Sequence, residues 1–175
     1  MDMRCPRCEG QSEAVGHEDG RAYFACAACK RVWSTSLASL GAAPADPLAR
    51  VLVVDDSRDM VQLLAMWLRD EGCTVLTASS GREALAVAAA AHPDVVFLDL
   101  FLPPPDGLRV CESLHDGGPA APEVILMTGV PNPDVPRRAA DAGALAVLQK
   151  PFTREEAMQA LNMAIARSRA VHAHR

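Results

Sequence analysis

The sequence lacks long apolar runs, an N-terminal apolar segment and a strong excess of either charge. No stretch approaches the ~18 consecutive apolar residues of a transmembrane helix, and nothing at the N-terminus could serve as a signal peptide. Seventeen Lys and Arg against 22 Asp and Glu give a net charge of −5, which is too ordinary for a dedicated nucleic-acid or membrane binder. We therefore expect a cytoplasmic location and no membrane association.

The composition predicts one full domain plus a small module. The chain has 175 residues, half of them apolar, so it can bury a sizeable core. Six cysteines in a chain without a secretion signal need an explanation other than disulfides. Four of them form two C-x2-C pairs that are separated by 17 residues: Cys5, Cys8, Cys26 and Cys29.

The two C-x2-C pairs predict a metal site. Each pair turns two thiolates inward from one tight turn, so two pairs supply four sulfurs around a Zn²⁺ ion. Segments 13–17 and 21–25 are predicted as short strands, and Asp19-Gly20 between them is a hairpin turn signal. Segment 1–35 thus resembles a zinc ribbon, whose fold would depend on about 10–16 kcal/mol of metal-binding free energy. The alternatives are a rubredoxin-like iron site and a pair of redox-active dithiols.

Residues after this module divide into a linker, a larger domain and a tail. Segment 36–48 is rich in small residues and contains Gly41 and two prolines, so it is predicted as a linker. Segment 49–168 is the larger domain, and the basic segment 169–175 is predicted as a tail. No output domain is expected after the larger domain.

Short apolar runs alternate with amphipathic segments in the larger domain. The apolar runs are predicted as strands, at 51–54, 73–78, 95–98, 123–127 and 145–148. Helices are predicted to end before Gly72, to span 80–91, to follow Gly107, to span about 134–142 and to follow Thr153. Ser80 with Glu83, and Thr153 with Glu156, are helix-capping pairs. Five such units predict an α/β fold with a five-stranded, parallel, doubly wound (flavodoxin-like) sheet.

Polar residues stand where four of the predicted strands end. Asp55 and Asp56 follow the first strand, Asp99 the third, Thr128 the fourth and Lys150 the fifth. In an open parallel sheet the carboxyl ends of the strands share one edge, which is where ligands bind. The five side chains are therefore predicted to converge on one site.

Segment 49–168 resembles the receiver domain of bacterial two-component response regulators. Four motifs carry the resemblance: VLVVDDS (51–57), VVFLDLFLPPPDG (95–107), VILMTG (124–129) and LQKPF (148–152). The resemblance implies that Asp99 is the phosphoryl acceptor. It also implies a Mg²⁺ site formed by Asp55, Asp56, Asp99 and the backbone carbonyl of Phe101.

The same resemblance implies that Thr128 and Lys150 hold the phosphoryl oxygens, and that the peptide before Pro151 is cis. A signalling protein rather than an enzyme is implied, with only self-phosphorylation from a donor and autodephosphorylation. A phosphatase of the haloacid dehalogenase class is a weaker alternative, because it needs a second Asp where Phe101 stands.

Three features depart from the usual receiver pattern. Val147 replaces the aromatic residue that turns inward on phosphorylation, and three prolines crowd segment 131–136 before the fourth helix. Ser57 stands where an acidic residue commonly follows the Asp pair. Phosphorylation should survive these changes, whereas the route of the output signal is left open.

The leading hypothesis is a response regulator that a histidine kinase or phosphotransfer protein phosphorylates and that signals through protein contacts. Residues 1–40 contain five cations and five acids, and this zero net charge favours a protein-docking ribbon over a DNA-reading one. The alternatives are a zinc-ribbon transcriptional regulator controlled by phosphorylation, and a scaffold that no longer takes phosphate.

Overall fold

The computed structural model describes residues 3–5, 7–8, 10–18, 21–36, 47–118 and 121–172. The chain divides into two compact units, residues 1–46 and 47–175. The predicted Asp19-Gly20 turn, most of the predicted linker and the last three residues of the predicted tail lie outside the described residues. Among the described helices, none is long and apolar enough to cross a membrane.

The N-terminal unit is an antiparallel sheet with the strand order β1-β2-β3-β4. Its strands are β1 (Met3–Arg4), β2 (Gln11–Glu18), β3 (Arg21–Cys26) and β4 (Val32–Ser36). The two predicted strands are present as β2 and β3 and are longer than expected. The strands β1 and β4 were not predicted from the sequence.

An aromatic pair explains why β4 forms despite its Ser- and Thr-rich sequence. Phe24 of β3 lies directly opposite Trp33 of β4, and the rings stack with their centroids 4.9 Å apart. The Trp33 indole N–H donates a hydrogen bond to the Ser12 hydroxyl at 3.3 Å, which ties β4 to β2. Cross-strand aromatic contacts of this kind stabilise a small sheet.

The larger unit is the predicted parallel sheet with helices on both faces. Its strands are β5 (Arg50–Val54), β6 (Thr74–Ala78), β7 (Val95–Asp99), β8 (Glu123–Thr128) and β9 (Ala146–Gln149). Its helices are α1 (Arg58–Asp70), α2 (Gly81–Ala91), α3 (Gly107–His115), α4 (Val135–Asp141) and α5 (Arg154–His172). The strand order β6-β5-β7-β8-β9 confirms the flavodoxin-like prediction.

The alternation of side chains along the strands creates two separate cores. Val51, Val53 and Phe97 pack with α1 and α5 on one face of the sheet. Leu52 and Leu98 pack with α2, α3 and α4 on the other face. Because both faces are covered, the central strands are continuous apolar runs rather than alternating ones.

The helix caps follow the sequence signals with one adjustment. Thr153 and Glu156 bond each other's backbone N–H groups, at 2.7 and 3.2 Å, as a capping box does. Ser80 caps α2 as predicted, but the Glu83 carboxylate accepts from the backbone and hydroxyl of Ser79 instead of from Ser80. The caps thus start both helices near the predicted residues.

Candidate functional site

The carboxyl edge of the sheet brings the predicted polar residues together. Asp55 follows β5, Asp99 ends β7, Thr128 ends β8 and Lys150 follows β9, and these strands are neighbours in the sheet. Asp55, Asp99 and Thr128 are buried, with exposures of 2%, 5% and 2%, whereas Asp56 is exposed. The site is therefore a pocket with one open, acidic side.

Lys150 joins the two buried carboxylates across the pocket. Its Nζ donates to Asp55 Oδ2 at 2.6 Å and to Asp99 Oδ1 at 2.9 Å. The Ser57 backbone N–H donates to Asp55 Oδ1 at 2.9 Å, and the Ser57 side chain caps α1. The backbone of Ser57 thus helps to orient Asp55, and this contact does not depend on which side chain stands at that position.

The electrostatics of this trio follow from burial and from its mutual contacts. Burial raises the pKa of the Asp99 carboxyl above its ordinary value, and the hydrogen bond from Lys150 offsets part of that rise. Burial alone would lower the pKa of Lys150, but the two carboxylates outweigh it, so the net pKa is raised. Lys150 is therefore a firmly charged ammonium group beside Asp99.

The three carboxylates have the spacing of a divalent-cation site. One oxygen from each of Asp55, Asp56 and Asp99 lies within 4.8 Å of the other two. Oxygens bound to one Mg²⁺ lie about 3 to 4 Å apart, because Mg–O distances are about 2.0–2.1 Å in octahedral geometry. The donor set is all carboxylate oxygen, which suits a hard cation.

Thr128 and the loop after it border the pocket on the β8 side. The Thr128 hydroxyl oxygen lies 3.3 Å from both the carbonyl oxygen and the amide nitrogen of Val130. The Lys150 backbone N–H donates to the Thr128 carbonyl at 2.7 Å, and the Lys150–Pro151 peptide is cis, as the resemblance implied. Any movement of the Thr128 hydroxyl is thus coupled directly to Val130.

Two exposed apolar side chains flank the pocket, and neither side chain was predicted from the sequence to do so. Phe101 is 55% exposed and Val130 is 50% exposed. Both line a cavity of about 210 Å³ together with Leu102 and Val135. The signal available in the sequence was the position of each residue, two places after Asp99 and after Thr128.

Gly107 lets the first turn of α3 pack directly on the backbone of Asp99. A Cβ atom at Gly107 would lie 2.2 Å from the Asp99 carbonyl oxygen and 2.8 Å from Leu100 Cα. Both neighbours are backbone atoms and cannot rotate away. Gly107 is thus a positioning residue for the segment that carries Asp99.

We expect the substitution Gly107→Ala to displace this segment and to lower the free energy of unfolding by about 1–3 kcal/mol. Urea denaturation of the two proteins measures the change. Gly129→Ala is the matched control, because its added Cβ meets no atom within 4 Å, and it should change stability by about 0.5 kcal/mol or less. Equal effects of both substitutions would contradict this role of Gly107.

The four N-terminal cysteines form a second cluster, in the smaller unit. Their sulfurs all lie within 4.8 Å of one another. Across the two turns, Cys5 Sγ lies 3.7 Å from Cys29 Sγ, and Cys8 Sγ lies 3.5 Å from Cys26 Sγ. Sulfurs at about 2.3 Å from a tetrahedral Zn²⁺ are separated by about 3.8 Å, so the cluster fits that ion.

Backbone N–H groups also favour thiolates at this cluster. The Cys29 N–H donates to Cys26 Sγ at 3.5 Å. This hydrogen bond is the main reason that the pKa of Cys26 is lowered to about 6. For Cys8, the Gly10 N–H lowers the pKa, but the neighbouring thiols outweigh it and raise the pKa to about 11. A bound divalent cation would stabilise all four thiolates and displace the protons that remain on them.

Comparison with known protein families agrees with the geometry of the larger unit. The model of the response regulator receiver domain family matches residues 51–162. The match does not extend to the four-cysteine segment.

Curated relatives share the same part of the chain. The response regulator MprA of Mycolicibacterium vanbaalenii is 39% identical over 121 residues, which is 68% of this chain and 51% of MprA. The transcriptional regulatory protein PdtaR of Mycobacterium tuberculosis is 33% identical over 125 residues, 71% of this chain and 60% of PdtaR. The chain thus spans about half the length of the first of these relatives.

Solved structures show the same fold. The chemotaxis response regulator CheY4 of Vibrio cholerae is 32% identical with a TM-score of 0.62, over 66% of this chain and 98% of CheY4. NtrX of Brucella abortus is 31% identical with a TM-score of 0.65, over 70% of this chain and 28% of NtrX.

Proposed function

The chain belongs to the response regulator receiver domain family, and on that premise we propose that it is a two-component signalling protein whose Asp99 accepts a phosphoryl group. Members of this family are signalling proteins and generally not enzymes. The observation that supports the proposal most directly is the buried Asp99 carboxylate held by Lys150 at 2.9 Å, beside two further carboxylates. The phosphoryl donor would be a histidine kinase or a phosphotransfer protein.

The chemistry assigned to Asp99 is nucleophilic attack. One carboxylate oxygen attacks the phosphorus atom of the donor, the bond from phosphorus to the donor nitrogen breaks, and the donor keeps the electron pair of that bond. The product is an acyl phosphate on Asp99.

Lys150 and Thr128 would bind the transferred group. The Lys150 ammonium already lies at hydrogen-bond distance from Asp99, so it can move to a phosphoryl oxygen and neutralise part of the charge. Thr128 is buried at the end of the neighbouring strand, and its hydroxyl can donate to a second oxygen.

Asp55, Asp56, Asp99 and the backbone carbonyl of Phe101 would hold a Mg²⁺ ion. When bound, the ion neutralises the clustered carboxylates and the incoming phosphoryl oxygens. The exposed Asp56 lies at the open side of the pocket, where it can exchange the ion with solvent. The Ser57 N–H holds Asp55 Oδ1, so Asp55 keeps this hydrogen bond when Lys150 turns to the phosphoryl group.

We further propose that residues 1–35 form a zinc ribbon with Cys5, Cys8, Cys26 and Cys29 as ligands. The sulfur spacing supports this assignment. Gly10 adjoins the cluster, since a Cβ there would lie 3.4 Å from Cys26 Sγ and 3.5 Å from Cys8 Sγ. A cytoplasmic location, where thiols stay reduced, suits this metal site.

For the ribbon we favour protein docking over DNA reading. Phe24 is buried and Trp33 stacks on it, so these rings serve the ribbon core and are not free to stack on bases. A gel shift with zinc-loaded protein at increasing salt tests the alternative, because phosphate contacts give a steep salt dependence. A salt-sensitive shift would favour a DNA-binding regulator.

The proposed function is tested by the intact mass of the protein after incubation with acetyl phosphate. We expect the mass to rise by one phosphoryl group when Mg²⁺ is present and to stay unchanged in EDTA. A mass that never changes, with either acetyl phosphate or a phosphorylated histidine phosphotransfer protein as donor, would favour the scaffold alternative.

We expect phosphorylation to rearrange the loop between β8 and α4, residues 128–133, more than the segment 134–167 that follows it. Val147 is half-buried against the core on the α4 side, and it has little surface to exchange between two rotamers, unlike an aromatic ring. Thr128 can still move and carry Val130 with it. Hydrogen exchange with and without beryllofluoride, a phosphoryl mimic, measures the rearrangement of each segment. Large protection changes across 134–167 with a quiet 128–133 segment would contradict the expectation.

A further inference from the structure

The segment between β7 and α3 carries Phe101, whose backbone carbonyl is a proposed Mg²⁺ ligand. We name residues 100–106 the proline loop, because Pro103, Pro104 and Pro105 stand at its centre. Most of its residues are exposed to solvent, so the surrounding core alone does not fix its shape. The contacts that do fix the shape of the loop decide where the Phe101 carbonyl lies.

Both ends of the proline loop are fixed by hydrogen bonds. The Leu100 N–H donates to the Met127 carbonyl at 2.8 Å, and the Gly107 N–H donates to the Leu100 carbonyl at 3.1 Å, which closes the loop at its base. Asp106 caps α3, because its carboxylate accepts from the Arg109 N–H at 3.0 Å. A change in the shape of the loop must therefore occur between these ends, at residues 101–105.

The three prolines leave little conformational freedom within the loop. A proline ring fixes φ at about −65°, and a residue that precedes a proline is restricted in ψ. Both restrictions apply to Pro103 and Pro104, so residues 103–105 act as one stiff unit. Leu102 is buried and packs into the core, whereas Phe101 is exposed. A displacement of the stiff unit is therefore absorbed mainly at the backbone of Phe101.

The stiff unit rests on the first residue of α2. A Cβ atom at Gly81 would overlap the carbonyl oxygen of Pro105 and would lie 2.7 Å from Val110 Cγ2. Val110 is fully buried in α3, and Ala84 is fully buried in the next turn of α2, so neither helix has space to withdraw. A methyl group added at Gly81 would therefore push Pro105 and the exposed loop outward.

We propose that Gly81 is a positioning residue for the Mg²⁺ site, because its bare Cα lets Pro105 rest on α2 and thereby fixes the Phe101 carbonyl. This inference rests on the proposed function, which assigns that carbonyl to the ion. The three carboxylates of the site all lie outside α2, so Gly81 acts through the proline loop. Groups that orient a metal ligand typically change the affinity about 10–100-fold when they are replaced.

The test titrates the full chain with magnesium chloride and follows its amide NMR signals. We expect Gly81→Ala to weaken Mg²⁺ binding about tenfold relative to the parent protein. The substitution should also shift the Phe101 amide signal before any Mg²⁺ is added, because the backbone of Phe101 absorbs the displacement.

Ala88→Gly is the matched control. Ala88 lies in the same helix and the same core as Gly81, but about 10 Å further along the helix axis. Glycine in a helix interior is destabilising, so both variants should unfold at lower urea concentrations than the parent, and only Gly81→Ala should weaken Mg²⁺ binding. Equal Mg²⁺ affinities of the two variants would show a merely structural role and would overturn the proposal.

The stiffness of the proline loop is tested by making Gly81→Ala in a protein that also carries Pro103→Ala and Pro104→Ala. A softened loop should absorb the added methyl group before the displacement reaches Phe101. Gly81→Ala should therefore weaken Mg²⁺ binding much less in this background than in the parent. An equal loss in both backgrounds would contradict transmission through the prolines.

The proposed function and the role of Gly81 fail separately. A parent protein whose amide signals do not respond to Mg²⁺ would contradict the proposed function. An unchanged Phe101 amide signal in the metal-free Gly81→Ala protein would instead contradict the role of Gly81, whether or not the parent binds the ion.

Discussion

The variant Asp99→Asn is expected to take up no phosphoryl group under conditions in which the parent protein is fully modified. An amide nitrogen and oxygen cannot replace the carboxylate nucleophile, whereas the shape of the pocket and the contacts of Asp55 are kept. Asp56→Ala should also abolish uptake, because the incoming phosphoryl group would then meet clustered carboxylates without a well-bound cation. Intact mass with acetyl phosphate and Mg²⁺ measures both variants.

Lys150→Ala separates binding of the phosphoryl group from its transfer. Lys150 contacts Asp99 at 2.9 Å but is not the nucleophile, so we expect slower uptake, with a larger loss in any downstream response. Asp106→Asn is a control outside the acidic cluster, since Asp106 caps α3. Phosphoryl uptake by Asp99→Asn, or uptake by the parent that is undiminished in EDTA, would reject the assignment of Asp99.

The larger unit could be predicted from sequence because its determinants are local. Strands that are covered on both faces appear as unbroken apolar runs, such as the segment 51–54. Each run ends at a polar residue, and parallel topology alone brings those ends to one edge. The convergence of Asp55, Asp99 and Lys150 therefore followed from the order of the strands, without any knowledge of side-chain contacts.

Features that depend on distant neighbours could not be predicted. The strand β4 is Ser- and Thr-rich, and its pairing rests on the contact of Trp33 with Phe24, which lies on another strand. The role of Gly107 depends on how closely α3 approaches Asp99.

If the four cysteines bind zinc as proposed, its removal is expected to unfold the N-terminal unit while the receiver domain stays folded. The described core of the small unit contains Phe24 and the buried cysteines Cys5 and Cys26, which is too little apolar surface to offset the chain entropy of about 35 residues. Binding of Zn²⁺ by four thiolates would contribute about 10–16 kcal/mol at neutral pH. The receiver has its own two cores, and neither includes a described residue of the N-terminal unit.

The two tryptophans allow each unit to be followed separately in the full chain. Trp33 lies in the ribbon sheet and Trp67 packs against the receiver core. In a Trp67→Phe protein, a strong chelator should abolish the native fluorescence of Trp33. In a Trp33→Phe protein the fluorescence of Trp67 should stay unchanged.

Substitution of a proposed zinc ligand should reproduce the effect of the chelator. Cys26→Ser is expected to lower bound zinc from one ion per chain to nearly none, because Cys26 is buried and contacts Cys8 at 3.5 Å. Cys73→Ala is the matched control, since Cys73 is also buried but lies in the receiver domain, next to β6. Elemental analysis that finds iron, or no metal, in freshly reduced parent protein would reject zinc. A disulfide between Cys5 and Cys8 in that sample would favour the redox alternative, because a disulfide-bonded pair cannot supply two thiolates to a metal ion.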